Sequence, residues 1–154
     1  MRVRADEHVA EAIVKAVREI ALSDSWTLDS VVSARQKGKS DVHWITEFMA
    51  GGGHAILTAD RDFLDNAPQV EAVFKTGAKV IHLPAKWGQA RGTLQAAHIL
   101  MWWGRIESCI TSMQVRQCFR PPWNIAETGM LQQITIDFQS AQKKMEKARK
   151  KGKA

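Results

Sequence analysis

A chain of 154 residues, 45% of them hydrophobic, fits one domain that can bury a full core without disulfides or a structural metal. It holds no run of about eighteen apolar residues, and its opening "MRVRADEH" has no secretory h-region, so a membrane-spanning helix is excluded and a soluble, cytoplasmic protein is expected. The net charge of +6 points toward phosphate-bearing partners, yet residues 143–154 carry seven basic residues against the single acid Glu146 and account for all of it, leaving residues 1–142 balanced.

Residues 2–5, "RVRA", alternate and close at Asp6-Glu7, which suits a short first strand. Val9, Ala12, Ile13, Ala16, Val17 and Ile20 then fall on one face at helical spacing, with Glu11, Lys15, Arg18 and Glu19 on the other. Trp26 to Ala34 is rich in β-branched residues and reads as a second strand, followed by the basic loop "RQKGKS". Ser40 is a candidate N-cap for "DVHWITEFMA", whose apolar stripe is Trp44, Ile45, Phe48 and Met49 and whose stop is Gly51-Gly52-Gly53. Ala55 to Ala59 reads as a buried third strand, Pro68 to Lys75 as a short helix, and "AKVIHLP" from Ala78 as a fourth strand ended by Pro84. Gln89 to about Ile110 predicts a long, almost all-round apolar helix, "FRPPW" a turn, and "ITIDF" an edge strand. Strands alternating with helices imply an α/β domain with a mostly parallel sheet and helices on both faces. Cys109 and Cys118 form no metal-type pair and are expected to be reduced and structural.

The chemistry concentrates in acids. Ligands of open parallel sheets bind beyond the carboxyl ends of the strands, where Asp6 and Asp60 both fall. Asp62 shares the direction of Asp60 if the chain stays extended, and Asp41 lies in a helix's first turn, opposite the apolar stripe. Four converging carboxylates need a counter-charge, because close acids cannot all ionise cheaply. A divalent cation supplies it, and hard oxygen ligands without clustered cysteine or histidine favour Mg²⁺ or Mn²⁺, the chemistry of phosphodiester hydrolysis. Plainer roles stand beside this one: the macrodipole alone favours Asp41, and strand-end aspartates also make ordinary turns.

The ordered set "RADEH", "SDVHWITEFM", "GGGHAILTADRDF" and "AKVIHLP", over residues 2–107, resembles the PIN-like nuclease superfamily, specifically its short VapC-type and Mut7-C-like branch. The resemblance implies a three-layer α/β/α sandwich; length and charge make residues 1–140 one domain and 141–154 a basic tail, and no family role transfers past Gly104. The resemblance also implies Mg²⁺- or Mn²⁺-dependent cleavage of RNA, and a toxin restrained by a cognate antitoxin. Asp6, Asp41, Asp60 and Asp62 match the family's catalytic, metal-binding acids and Thr58 the hydroxyl that supports them. Glu7 stands where many relatives have a different residue, which leaves open whether it also reaches the metal.

Arg35, Lys37 and Lys39 precede Asp41, Arg61 separates the paired acids, and Lys86 and Arg91 flank the loop after the fourth strand, so all six are candidates for holding RNA phosphates. Trp102 and Trp103 lie about 100° apart on a helix, so either a large core absorbs both or one ring faces outward, as a homodimer or antitoxin surface first and a base-stacking ring second. Two rivals compete with the nuclease. A receiver-like phosphoacceptor would use Asp6-Glu7, Asp60 and Lys86 but has no need of Asp41 or Asp62. A non-catalytic nucleic-acid binder would work through the tail.

Overall fold

Six short strands order themselves as β2-β1-β3-β4-β5-β6 in a single sheet: β1 (Arg2–Ala5), β2 (Thr27–Ser30), β3 (Ala55–Thr58), β4 (Lys79–His82), β5 (Cys118–Arg120) and β6 (Gln132–Ile134). The structure, a computed structural model, describes residues 1–36, 38–124 and 128–152. The first five strands run parallel and β6 closes the sheet antiparallel. β3 is buried along its whole length, as a central parallel strand must be.

Strand alternation divides the core in two. Val3, Ala5, Ala55, Leu57 and Ile81 face one layer, formed by α1 (Glu11–Ile20), α4 (Ala85–Gln89) and α5 (Gly92–Ser112). Ile56, Val80 and Cys118 face the other, formed by α2 (Asp41–Ala50) and α3 (Ala67–Thr76). The result is the expected three-layer α/β/α sandwich. Outside α3 lies α6 (Phe138–Gly152), with Phe138 against Phe74 at 5.3 Å between ring centroids and Arg149 bonded to Glu71 at 2.7 Å. The basic segment expected as a tail is thus a helix from Phe138 onward, because Phe138 and Ala141 give it an apolar edge to bury.

Local chemistry moves several boundaries. β2 ends at Ser30 rather than Ala34, since Ser30 N donates to Ser33 Oγ at 2.9 Å and Ser33 N to Ser30 Oγ at 3.0 Å, curling the chain into a turn. The long helix starts at Gly92 rather than Gln89 and runs to Ser112 as α5, and a short α4 precedes it, separated at Ala90-Arg91. Segment "FRPPW" contributes its first two residues to β5, and the edge strand β6 precedes "ITIDF" and overlaps it only at Ile134. Gly53 does more than end α2: a Cβ there would stand 2.5 Å from the Phe48 ring.

Trp102 and Trp103 are both fully buried, so neither forms an outward surface. Ile99, Trp102, Trp103, Ile106, Glu107 and Ile110 make one stripe at positions i, i+3, i+4, i+7, i+8 and i+11, wide enough to contain two rings 100° apart. Met101 and Leu94 are exposed, so α5 is amphipathic rather than apolar all round. Both cysteines are buried free thiols, and burial pushes Cys109 up to about 11 and Cys118 up to about 12. Among the described residues no helix is long and apolar enough to cross a membrane.

Candidate active site

The strand order fixes where the chain can build a site. From β1 the chain turns to α1 on one face, whereas β3 is entered from α2 and left toward α3 on the other. The two loops leaving β1 and β3 therefore diverge and open a crevice at the carboxyl edge, the usual place for a ligand in this topology. Ala5 pairs with Leu57, so Asp6 and Thr58 leave the sheet side by side.

Thr58 is fully buried and ties the site together. Its hydroxyl donates to Asp6 Oδ2 and accepts from the Asp60 backbone N–H at 3.1 Å. Asp6 Oδ1 accepts from His8 N at 3.0 Å. With only 2% of its surface exposed, Asp6 is pushed up to about 6 by burial, against the opposing pull of the Thr58 hydroxyl and His8. The imidazole of His8 is half exposed and 3.8 Å from Oδ2, too far for a hydrogen bond.

The other acids are placed differently from the expected convergence of four. Asp60 is half-buried, and its Oδ1 accepts from Asp62 N at 2.9 Å. That bond turns the chain, so Asp62 (φ −94°, ψ 1°) is not extended but opens a 3₁₀ turn, Phe63–Asp65, on the exposed side. Asp41 sits in the first turn of α2 but is joined to the apolar stripe instead of facing away from it: Oδ1 accepts from Trp44 Nε1 at 2.8 Å, and Oδ2 from Gln69 Nε2 of α3. Asp41 thus clasps α2 to α3. Glu7 is exposed.

Arg35, Lys39, Arg61 and Arg91 are exposed cations, Lys39 lying 3.8 Å from Glu47. Lys86 stands on α4 rather than in a loop, with Nζ 4.0 Å from the centroid of the Trp123 ring. Lys37 lies outside the described residues.

Two residues absent from the sequence-derived set enter the site through the sheet. His82, 3% exposed, ends β4 opposite Thr58. Arg120 Nε donates to His82 Nδ1 at 3.1 Å, so the ring proton is on Nε2, which donates to the Asp60 carbonyl at 2.8 Å. Burial lowers the pKa of His82 and holds it in that neutral form. A polar residue inside the buried run "AKVIHLP" was the available signal for His82; Arg120, 38 residues away, left none.

A family model described as "PIN like domain" matches residues 1–85, from β1 through β4 to the start of α4. The chain belongs to the PIN-like domain family. PIN-like domains are generally nucleases and typically use divalent metal ions. The matched residues hold Asp6, Asp41, Thr58, Asp60, Asp62 and His82, while Arg120 and Trp123 lie beyond them. No significant match was found among curated proteins or among solved structures.

Does this PIN-like domain fit a divalent ion? Among the described residues no group of three or more His, Cys, Asp and Glu side chains stands ready to hold one. The donors at Asp6 and Asp60 are nonetheless hard oxygens, and the Thr58 hydroxyl joins the Asp6 carboxylate to the Asp60 backbone N–H. Mg²⁺ is commonly held by one or two carboxylates plus substrate phosphates rather than by a closed protein cage, so the residues fit in kind and number.

Proposed function

We propose that this PIN-like domain is a Mg²⁺- or Mn²⁺-dependent endoribonuclease and the toxin of a toxin–antitoxin pair, restrained by a cognate antitoxin. One observation carries the catalytic reading: a buried carboxylate, Asp6, pushed up to about 6 and tethered by Thr58 to the Asp60 loop at the sheet's switch point. The toxin role is supported by the VapC-type pattern of "SDVHWITEFM" and "TADRDF".

Asp6 and Asp60 would hold the cation, which when bound polarises the scissile phosphate and activates water. The protein's own part is positioning. Thr58 fixes the rotamer of Asp6, and His82, held by Arg120, fixes the backbone of Asp60. Arg35, Lys39 and Arg61 are exposed and would meet phosphates from solvent, and Asp41 would act by locking α2 to α3. In the receiver-like alternative a lysine must reach Asp60, whereas Lys86 lies over the Trp123 ring, and the alternative leaves Asp41 and Asp62 without a use.

The test is cleavage of a mixed RNA pool by partner-free protein in Mg²⁺, in Mn²⁺ and in chelator, with Asp60→Asn alongside. Metal-dependent cutting that the mutant loses by at least about 100-fold is expected, given the size of single-group electrostatic contributions to catalysis. Equal cutting by the mutant would remove the mechanism, and phosphate uptake at Asp60 from a small phosphodonor would favour the receiver reading.

A further inference from the structure

Beyond the residues matched by the family model, an open groove of about 290 Å³ runs along the same carboxyl edge, between the ends of β4 and β5. Its walls include Lys86, Arg120, Pro121, Pro122 and Trp123, and among the described residues no acid lines it. Trp123 is 59% exposed, an unusual position for the largest apolar side chain. Its backbone, however, is fixed: the carbonyl accepts from Nε1 of the buried Trp87 at 2.9 Å, and two prolines precede it with restricted φ. An exposed ring on a fixed backbone is a preorganised platform.

The groove also connects to the acids. Arg120 forms part of its wall and bonds to His82, which bonds to the Asp60 carbonyl, so a single imidazole separates groove from site. Two strand spacings, about 10 Å, separate β3 from β5, a span of a few nucleotides. A flat aromatic face beside two cations is the composition that binds single-stranded nucleic acid, the ring taking a base and the cations the backbone. Lys86 now covers the ring at 4.0 Å, and an exposed cation–π contact is weak enough to exchange for a phosphate.

We infer that this groove is a substrate subsite, in which a base of single-stranded RNA stacks on Trp123 while the neighbouring phosphates lie against Lys86 and Arg120. The inference rests on the nuclease reading and adds to it where the strand lies on leaving the acids. Charge favours a polyanion over a protein occupant, since the described lining carries two cations and no acid.

The experiment is fluorescence anisotropy of a labelled, randomised single-stranded RNA dodecamer in chelator, where binding is read without cutting. Trp123→Ala is expected to weaken binding about tenfold, Trp123→Phe much less because it keeps a stacking face, and Lys86→Gln to weaken binding and flatten its salt dependence by about one charge. Unchanged melting curves for these exposed positions exclude misfolding as the cause. Wild-type affinity in Trp123→Ala would overturn the subsite, as would no binding by the wild type. A change in sedimentation mass on losing Trp123, with RNA affinity unmoved, would overturn it in favour of a protein contact. The two readings fail separately: a subsite failure leaves metal-dependent cutting intact, and a nuclease failure leaves Trp123-dependent binding without cutting in either metal.

Discussion

Asp6 is a carboxyl group that folding strips of water, and its proton affinity records the cost. Its folded pKa, about 6, lies above the ordinary aspartate range, so the metal-free protein gains from this group in acid and loses that gain as the pH rises. Between about pH 4 and pH 6 the loss is on the order of 3 kcal/mol. In chelator, urea unfolding should show that decline, and Asp6→Asn should flatten it and be the more stable protein at pH 7; an unchanged slope in the mutant would place the titration elsewhere. Thr58 can be tested through the same group. Its hydroxyl now pulls the Asp6 pKa down, so Thr58→Val should raise that pKa, shift the acid limb of the cleavage profile to higher pH, and cost about 1 kcal/mol of stability, with Thr58→Ser restoring both. The position of Asp6 and Asp60 at the sheet's carboxyl edge was legible from the strand ends, whereas Thr58 came from the family resemblance. The exposed turn at Asp62 was not legible, because a side-chain bond to the backbone overrides the alternation that an extended chain would keep.

At the scale of elements, α5 shows what periodicity can and cannot settle. Its existence follows from composition, but its buried stripe became visible only in the fold, with Glu107 inside it. That carboxylate accepts from Ser23 N at 3.0 Å, Ser23 Oγ at 2.5 Å and Trp103 Nε1 at 2.8 Å, joining α5 to the loop after α1. Glu107→Ala leaves three donors without their acceptor and should destabilise by about 3 kcal/mol or more in denaturant titration. Ser23 precedes β2, at the edge opposite the acids, so cleavage per folded molecule should be unchanged. The first strand hid a comparable bond set. Arg4, placed in "RVRA" as an alternating residue, is 8% exposed and bonds Asp29 at 2.7 and 2.8 Å and Gln36 at 2.6 Å. Partners 25 and 32 residues away leave no local pattern to read.

For the whole molecule, the charge sits on α6 while the proposed chemistry sits at the sheet edge. Lys143, Lys144, Lys147, Lys150 and Lys151 are exposed on a helix that packs through Phe138 and Ala141, so replacing all five by glutamine should keep the fold. RNA affinity should then fall and its salt dependence flatten, with turnover at saturating RNA unchanged. If binding vanished while the four-acid mutant still bound, the helix rather than the crevice would be the RNA site. The alternating strands and helices made the α/β class readable, but the order that brings β3 beside β1 did not follow from them, since it depends on α2 carrying the chain across β1.

The Thr58–Asp6 bond spans 52 residues of chain. Neither partner has its environment until β3 has docked beside β1, and His82 reaches Asp60 only once β4 has docked in turn. Such long-range pairings form late, because each must close a long loop first. During synthesis, then, every chain shorter than the end of β4 lacks the assembled crevice.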